Sequence, residues 1–228
     1  MHGSFIQWIN DLKSMNLVIY NQIRDRILFL EYQSGQILNE KVLADEFGVS
    51  RTPLREVLCR LEWEQLVRIL PRSGTMVAEI EFHKMMNIFQ VRLEIEALAG
   101  RLAAEMITPS HLESLEQLER DCGALNDQRN QKGLAMIDFS LRRILYNAGN
   151  NHVLRDISNQ LYSLTFRIWF VIMGHGDWSE EVLAMTNEIR DTRSVLSRRN
   201  PIEVGEARKA VLLRHVERIK RKFLEIPT

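Results

Sequence analysis

The sequence predicts a mainly α protein in two parts: a small N-terminal unit of three helices and a β-hairpin, then an all-α antiparallel helical bundle. Three observations predict this. Apolar residues recur at spacings of three and four along most of the chain. Alternation of β type is confined to two short runs, residues 66–70 and 75–80, joined by Pro71-Arg72-Ser73-Gly74. Five prolines and eleven glycines in 228 residues leave room for long helices. At ~100–200 residues per domain, this length holds one or two domains. The boundaries read from the pattern are a short extension over residues 1–16, a first domain over 17–80 and a second over 81–228.

In the first domain, Tyr20, Ile23, Ile27 and Leu30 define a helix from about Leu17 to Tyr32, and Ser34-Gly35 ends it. Asn39 is placed to cap a short helix, Glu40–Phe47, with Leu43 and Phe47 inward and Gly48 closing it. Ser50 is the next N-cap, and Pro53 falls in the first turn, where a missing N–H costs little. The helix it starts, residues 51–65, carries Leu54, Val57, Leu58 and Leu61 on one side. Arg51, Thr52, Arg55 and Cys59 lie on another. The hairpin follows, with a glycine near the point where positive φ is needed.

From Glu81 the pattern is helical almost throughout. Phe82–Met106 is one long amphipathic stretch, broken by Thr108-Pro109-Ser110. Further helices are expected over residues 109–126, 134–148, 152–173, 179–198 and 201–224. Trp63, Trp169 and Trp178 read as core or interface aromatics, and Met85, Met86, Met106, Met136 and Met173 as core filler.

The composition sets limits. Thirty basic and thirty acidic residues give a formal net charge of zero, with 45% hydrophobic and 26% charged residues. This is ordinary for a globular chain and argues against a surface that is uniformly a magnet for nucleic acid or membrane. Residues 1–80 hold 9 basic and 10 acidic groups, while residues 198–228 hold 9 and 4. The basic excess at the C-terminal end fits a solvated last helix favoured by the helix dipole. Two cysteines cannot build a disulfide scaffold, and a reducing, cytoplasmic setting fits them best. No run approaches ~20 apolar residues, so no membrane span or membrane partner is expected. The first fifteen residues lack the pattern of a secretory leader.

Two short helices joined by Gly48-Val49-Ser50 and followed by a hairpin form a winged helix-turn-helix pattern. The physics suits double-stranded DNA. A helix fits the major groove and its first residues reach base edges. Arg51 and Arg55, one turn apart, can pair with guanine or grip phosphate. Ser50 and Thr52 stand at a helix N-terminus that favours anions. Lys41 is placed for a phosphate, and the tip with Arg72 and Gly74 can approach the neighbouring groove or backbone. Taken as an isolated pair, Arg51 and Arg55 would read as a solvated face paired with Glu56 or Glu62.

The segment LADEFGVSRTPLREVLCRLEWEQLV, followed by PRSGTMV, resembles the winged-helix domain of GntR-family transcriptional regulators. Gln65 departs from the pattern, since the family commonly has Gly there. The resemblance implies DNA contacts by Lys41, Ser50, Arg51, Thr52, Arg55, Arg72 and Gly74. The C-terminal region is similar to the FCD-type effector domain of the FadR-like branch, through Val91-Arg92-Leu93-Glu94-Ile95-Glu96, Asp138, Asn151-His152-Val153-Leu154 and His215. This implies a homodimer, a small-molecule effector often bearing a carboxylate, and in many members a divalent metal held by one Asp and three His. Here Arg142 stands where the family places a His four residues after Asp138. A guanidinium stays protonated and is no metal ligand. The helix over residues 179–198 has no histidine, with Asn187, Ile189 or Arg193 at the corresponding place. Asp138 and His215 remain, too few for a tight site, so no cofactor is expected.

Candidate effector residues are Arg92, Asp138, Arg142, Arg167 and His215. Asp138 and Arg142 can form an i,i+4 ion pair, either purely structural or offering a positive charge to a ligand carboxylate. Arg92 and Arg167 sit within apolar helices. A buried Arg needs a partner, such as Glu96 for Arg92, and each reads as an internal salt bridge or as a pocket residue. The expected function is a ligand-responsive repressor that binds a pseudo-palindromic operator as a dimer. The alternatives are a helical interaction protein and a metal-dependent sensor with a reduced site. No phosphate loop, nucleophile elbow or His-Glu-x-x-His motif is present, so no enzyme is expected.

Overall fold

A computed structural model describes the backbone of residues 3–225 and the side chains of residues 15–223. It divides into two compact units, Met1–Glu81 and Phe82–Thr228.

The first unit opens with helix α1, Gly3–Leu28. It starts well before the expected Leu17, so the stretch read as a separate extension is the N-terminal part of this helix. The side chains of Phe5 and Trp8 lie outside the described residues. Ile19, Tyr20, Ile23, Ile27 and Leu28 are buried, the spacing of one helix face. Helix α2, Glu40–Phe47, starts at Asn39, whose side chain accepts from the Lys41 and Val42 amides at 2.9 and 3.2 Å. Helix α3, Arg51–Trp63, buries Leu54, Val57, Leu58 and Leu61, the four residues its spacing predicts. Ser50 has the extended backbone of a cap, but its hydroxyl makes no capping hydrogen bond. The amides of the first turn of α3 are left without that side-chain acceptor.

Helix α3 ends before the expected Gln65. Gln65 itself takes φ +61°, and its amide bonds back to Glu62. This is the left-handed turn for which the resemblance anticipates glycine. Strand β2, Val67–Leu70, pairs antiparallel with β3, Gly74–Val77, with Leu70 opposite Gly74. A two-residue strand β1, Ile37–Leu38, pairs on the other side of β3 and gives the order β1-β3-β2. Two residues are too short to show a period of two, so no sequence signal marked β1. β1 explains Gly74. At φ +112°, a Cβ there would lie 2.7 Å from the Leu38 carbonyl oxygen. Trp63 is 81% exposed rather than packed, unlike the buried Trp169.

The second unit is an antiparallel helical bundle of α4 (Phe82–Met106), α5 (Pro109–Gly123), α6 (Gln131–Ala148), α7 (His152–His175), α8 (Trp178–Leu196) and α9 (Pro201–Glu225). A 3-10 turn, Ala124–Asp127, follows α5. Thr108 and His111 form a reciprocal capping box before α5. Helices α4 and α9 run antiparallel, as Phe82 stacks on Phe223 while Glu94 meets Lys209. They approach closely at Gly100 and Gly205. A Cβ on Gly100 would lie 3.0 Å from the Val204 carbonyl oxygen, and one on Gly205 3.1 Å from that of Ala97. This crossing sets Arg208 of α9 beside Glu96 of α4 in the bundle core.

The left-handed Gln65 generates a prediction. Gln65→Gly relieves the Cβ clash of positive φ, offset in part by a more flexible unfolded chain. The variant should gain about 0.5–1 kcal/mol in a urea titration, and a loss of stability would contradict the strain.

Candidate functional site

In the first unit, the N-termini of α2 and α3 and the hairpin tip enclose a groove of about 450 Å³. Lys41 enters it from the first turn of α2, Arg51 and Arg55 from the first two turns of α3, and Arg72 and Gly74 from the tip. The groove therefore gathers five of the seven residues expected to meet DNA. Ser50 and Thr52, at the start of α3, do not line it. The side chain of Arg55 is 67% exposed and lies 3.5 Å from the Glu40 carboxylate, which also accepts from the Thr75 hydroxyl at 3.4 Å. Glu40 thus holds Arg55 over the groove while leaving most of its guanidinium open. Sequence reasoning had placed Glu40 only as the first residue of its helix. Arg72 adopts φ +67° at the hairpin apex with an exposed side chain. Gly74 contributes the close approach of β1 to the wing, a matter of shape.

In the second unit, Glu96 is the centre of a buried ionic cluster, with 1% exposure. Arg142 of α6 reaches its Oε1 at 2.5 Å, Arg208 of α9 its Oε2 at 3.1 Å, and Arg92 lies 3.6 Å away one helical turn earlier. Each arginine has further partners. Arg142 donates to the Ser158 hydroxyl at 2.6 Å, Arg92 to Thr165 at 2.5 Å, and Arg208 to Glu188 at 2.9 Å and Thr192 at 3.0 Å. Tyr146 donates to Glu96 at 3.3 Å, and its hydroxyl is also bonded to Ser158. The Arg142 guanidinium lies 4.2 Å from the centre of the Tyr162 ring.

The expected Asp138–Arg142 ion pair does not form. Arg142 turns to Glu96, which offers a shared carboxylate to three guanidiniums, and Asp138 instead accepts a hydrogen bond from the Tyr162 hydroxyl. Burial would raise the Glu96 carboxyl. Arg142, Arg208 and Arg92 outweigh it and hold that carboxyl well below the usual carboxylate range. Asp138 behaves oppositely, since burial pushes it up to about 6 against the pull of Arg142. Burial, Arg218 and Arg92 lower His215 well below its ordinary value, so it is neutral.

These groups surround a cavity of about 30 Å³, the share of one water in the liquid. Arg92, Asp138, Arg142 and His215 line it. Arg167 does not. The cavity face of α7 is Tyr162, Thr165, Phe166 and Trp169, spaced i, i+3, i+4, i+7. Arg167 follows Phe166 by one residue, so it projects about 100° away around the helix. Burial there lowers its guanidinium to about 10. Among the described residues no group of three His, Cys, Asp or Glu is placed to hold a metal ion. Sequence reasoning missed Arg208 and Glu188. Arg208 had a signal, because Val204, Val211 and Leu212 mark its face of α9 as inward.

The raised Asp138 fixes a pH dependence. Its folded value lies above the unfolded one, so the native state binds more protons between about pH 4 and 6, and stability falls as pH rises through that window. Asp138→Asn keeps an acceptor for Tyr162 without the charge. It should be more stable than wild type by ~2 kcal/mol at pH 8, with the difference vanishing near pH 4. Denaturant titrations at the two pH values check this, and equal stability at pH 8 would contradict it.

Comparison with known proteins covers both units. Residues 16–77 match the family described as bacterial regulatory proteins, gntR family, and residues 87–192 match the FCD domain. The chain is 25% identical over 218 residues to the HTH-type transcriptional repressor RspR of Escherichia coli, covering 96% of this chain and 92% of that one. It is 26% identical over 149 residues to the HTH-type transcriptional regulator McbR of the same species, covering 65% and 67%. In fold it is similar to the solved structure of E. coli McbR/YncC, with a TM-score of 0.80 and 19% identity over 92% of this chain and 98% of that one. These relatives are transcriptional regulators, not enzymes. With a winged helix-turn-helix unit matched at one end and an FCD bundle at the other, the chain belongs to the GntR family of DNA-binding transcriptional regulators.

Proposed function

We propose that this regulator is a repressor that binds a pseudo-palindromic operator as a homodimer and releases it in response to a small organic acid bound by the helical domain. The observation that carries the DNA-binding part is the groove that gathers Lys41, Arg51, Arg55 and Arg72 around two helix N-termini. In this reading Arg51 and Arg55 enter the major groove and pair with base edges or flanking phosphates. Ser50, Thr52 and the uncapped amides of α3 take a phosphate. Lys41 takes another, and Arg72 reaches from the wing to the minor groove or backbone. A unit carrying net −1 over residues 1–80 binds non-specific DNA weakly, so tight binding needs two half-sites and a dimer.

Repression is supported by the similarity to RspR, which is named a repressor. A dimer face is supported by α4 and α7. Val91, Leu98 and Met106 on α4 and Val153 and Ile157 on α7 are large apolar side chains exposed to solvent. An organic acid is supported by the three buried guanidiniums of the bundle. They also argue against a resident metal, because a cation between Asp138 and His215 would face Arg92 and Arg142 across a water-sized cavity. Operator binding places the protein with the chromosome, in the cytoplasm.

Titration of operator DNA at several salt concentrations tests the interface. Arg55→Ala should cost ~1–3 kcal/mol and relax specificity, and Lys41→Ala should reduce the salt slope by about 1. Wild-type affinity in Arg51→Ala and Arg55→Ala would overturn the assignment. For the dimer, Leu98→Glu should shift the sedimenting species towards monomer and weaken operator binding, whereas an unchanged dimer would place the interface elsewhere.

A further inference from the structure

The groove that gathers Lys41, Arg51, Arg55 and Arg72 also holds a carboxylate. Among the described residues lining it, Glu40 is the acid. A surface that had only to attract phosphate would be stronger without it, since like charges repel at close range. The position of Glu40 is fixed from several sides. It is the first residue of α2, directly after the Asn39 cap. Leu38, two residues before it, pairs with Thr75 on β3, the central strand of the sheet. That register brings the Thr75 hydroxyl to Glu40 Oε1, to which it donates at 3.4 Å. The other oxygen, Oε2, lies 3.5 Å from Arg55 Nε. One carboxylate therefore joins α2, α3 and the wing.

The three side chains run from core to solvent. Thr75 is fully buried. The Glu40 side chain is 19% exposed, and that of Arg55 is mostly open. A buried hydroxyl thus fixes a part-buried carboxylate, which orients an open guanidinium. The edge engaged matters. A guanidinium held through Nε presents its two Nη groups outward, and a pair of N–H donors is what guanine O6 and N7 accept. Both oxygens of Glu40 are engaged, so it acts on DNA through Arg55 rather than as an acceptor for a base.

The charge has a second effect. Each cation that neutralises a phosphate releases counterions, and the salt dependence of binding reports their number. Arg55 is already neutralised by Glu40 within the protein. A phosphate oxygen that took Arg55 would lie beside the Glu40 carboxylate, whereas a guanine edge carries no net charge. Glu40 therefore penalises phosphate at this position and spares a base.

We propose that Glu40, held by Thr75, is a specificity-determining residue of the DNA interface. It aims Arg55 at a guanine edge and denies that guanidinium to the phosphate backbone, which lowers affinity for non-specific DNA more than for the operator. This rests on the DNA contacts assigned to Arg51 and Arg55 above.

Binding of the full-length protein over a range of salt concentrations tests the role. The probes are an operator duplex selected by the wild-type protein from a random pool and a random-sequence duplex of equal length. Glu40→Gln should tighten binding to the random duplex about fivefold and steepen its salt slope by about 1. The operator gains nothing, so the operator-to-random affinity ratio falls by the same factor. On an Arg55→Ala background, Glu40→Gln should change neither the ratio nor the slope, because its partner is gone. Thr75→Val removes the donor and keeps the β-branched shape, and it should lower the ratio with the slope unchanged. Asp45→Asn makes the same change of charge at an exposed residue of α2 outside the groove and should leave the ratio within about twofold of wild type. The proposal is overturned if Glu40→Gln or Thr75→Val keeps the wild-type ratio, or if Asp45→Asn lowers it as far as Glu40→Gln does. A pool that yields no enriched duplex, or an Arg55→Ala protein with the full ratio, removes the contact reading and the role of Glu40 with it. A ratio lost in Arg55→Ala but kept in Glu40→Gln leaves the contacts standing and overturns the role of Glu40 alone.

Discussion

The carboxylate of Glu96 is the point on which the helical domain turns. Three guanidiniums converge on it from α4, α6 and α9, and its charge offsets the cost of burying theirs, with Glu188 as a second carboxylate for Arg208. The convergence depends on backbone geometry. Only because Gly100 and Gly205 lack side chains do α4 and α9 approach closely enough to bring Arg208 to Glu96. Buried ion pairs of this kind are weak sources of net stability, since desolvation offsets most of the attraction. Their effect is specificity. Removing the carboxylate would strand buried guanidiniums, so the cluster favours one helix arrangement over near alternatives.

The same cluster decides what the core can hold. Arg142 occupies space that a shorter side chain would leave to a ligand, and the remaining cavity is water-sized. The polar seam between α8 and α9 encloses a larger concavity that shares Glu188, Val211 and His215 with that cavity.

The winged unit was largely legible beforehand. Asn39 capping α2, the four buried residues of α3 and the hairpin all follow from short-range rules, namely side-chain capping, the 3.6-residue period and the turn preferences of proline and glycine. Its failures are local as well. Ser50 sits at a cap position without the capping bond, and β1 is too short for any periodic signal. Gln65 occupies a left-handed turn because the resumed chain at Leu66, fully buried, fixes the turn from outside the residue. In the bundle, Arg92, Asp138, Arg142 and His215 were found on one cavity, since each lies on the inward face its helix period marks. Arg167 lies off that cavity, one residue beyond Phe166, which on a helix is a rotation of about 100°.

The sequence by itself determined the helices, their caps, the hairpin, the arginines at the start of α3 and the inward faces of the bundle, because each depends on residues only a few positions apart. Which charges meet was decided only by the tertiary structure. Arg142 could pair with Asp138 four residues away, yet it binds Glu96 forty-six residues earlier in the chain. That choice depends on how α6 packs against α4, which no local pattern encodes. Pairing in a core is settled by which groups the packing brings into contact and by the cost of leaving any of them unpaired.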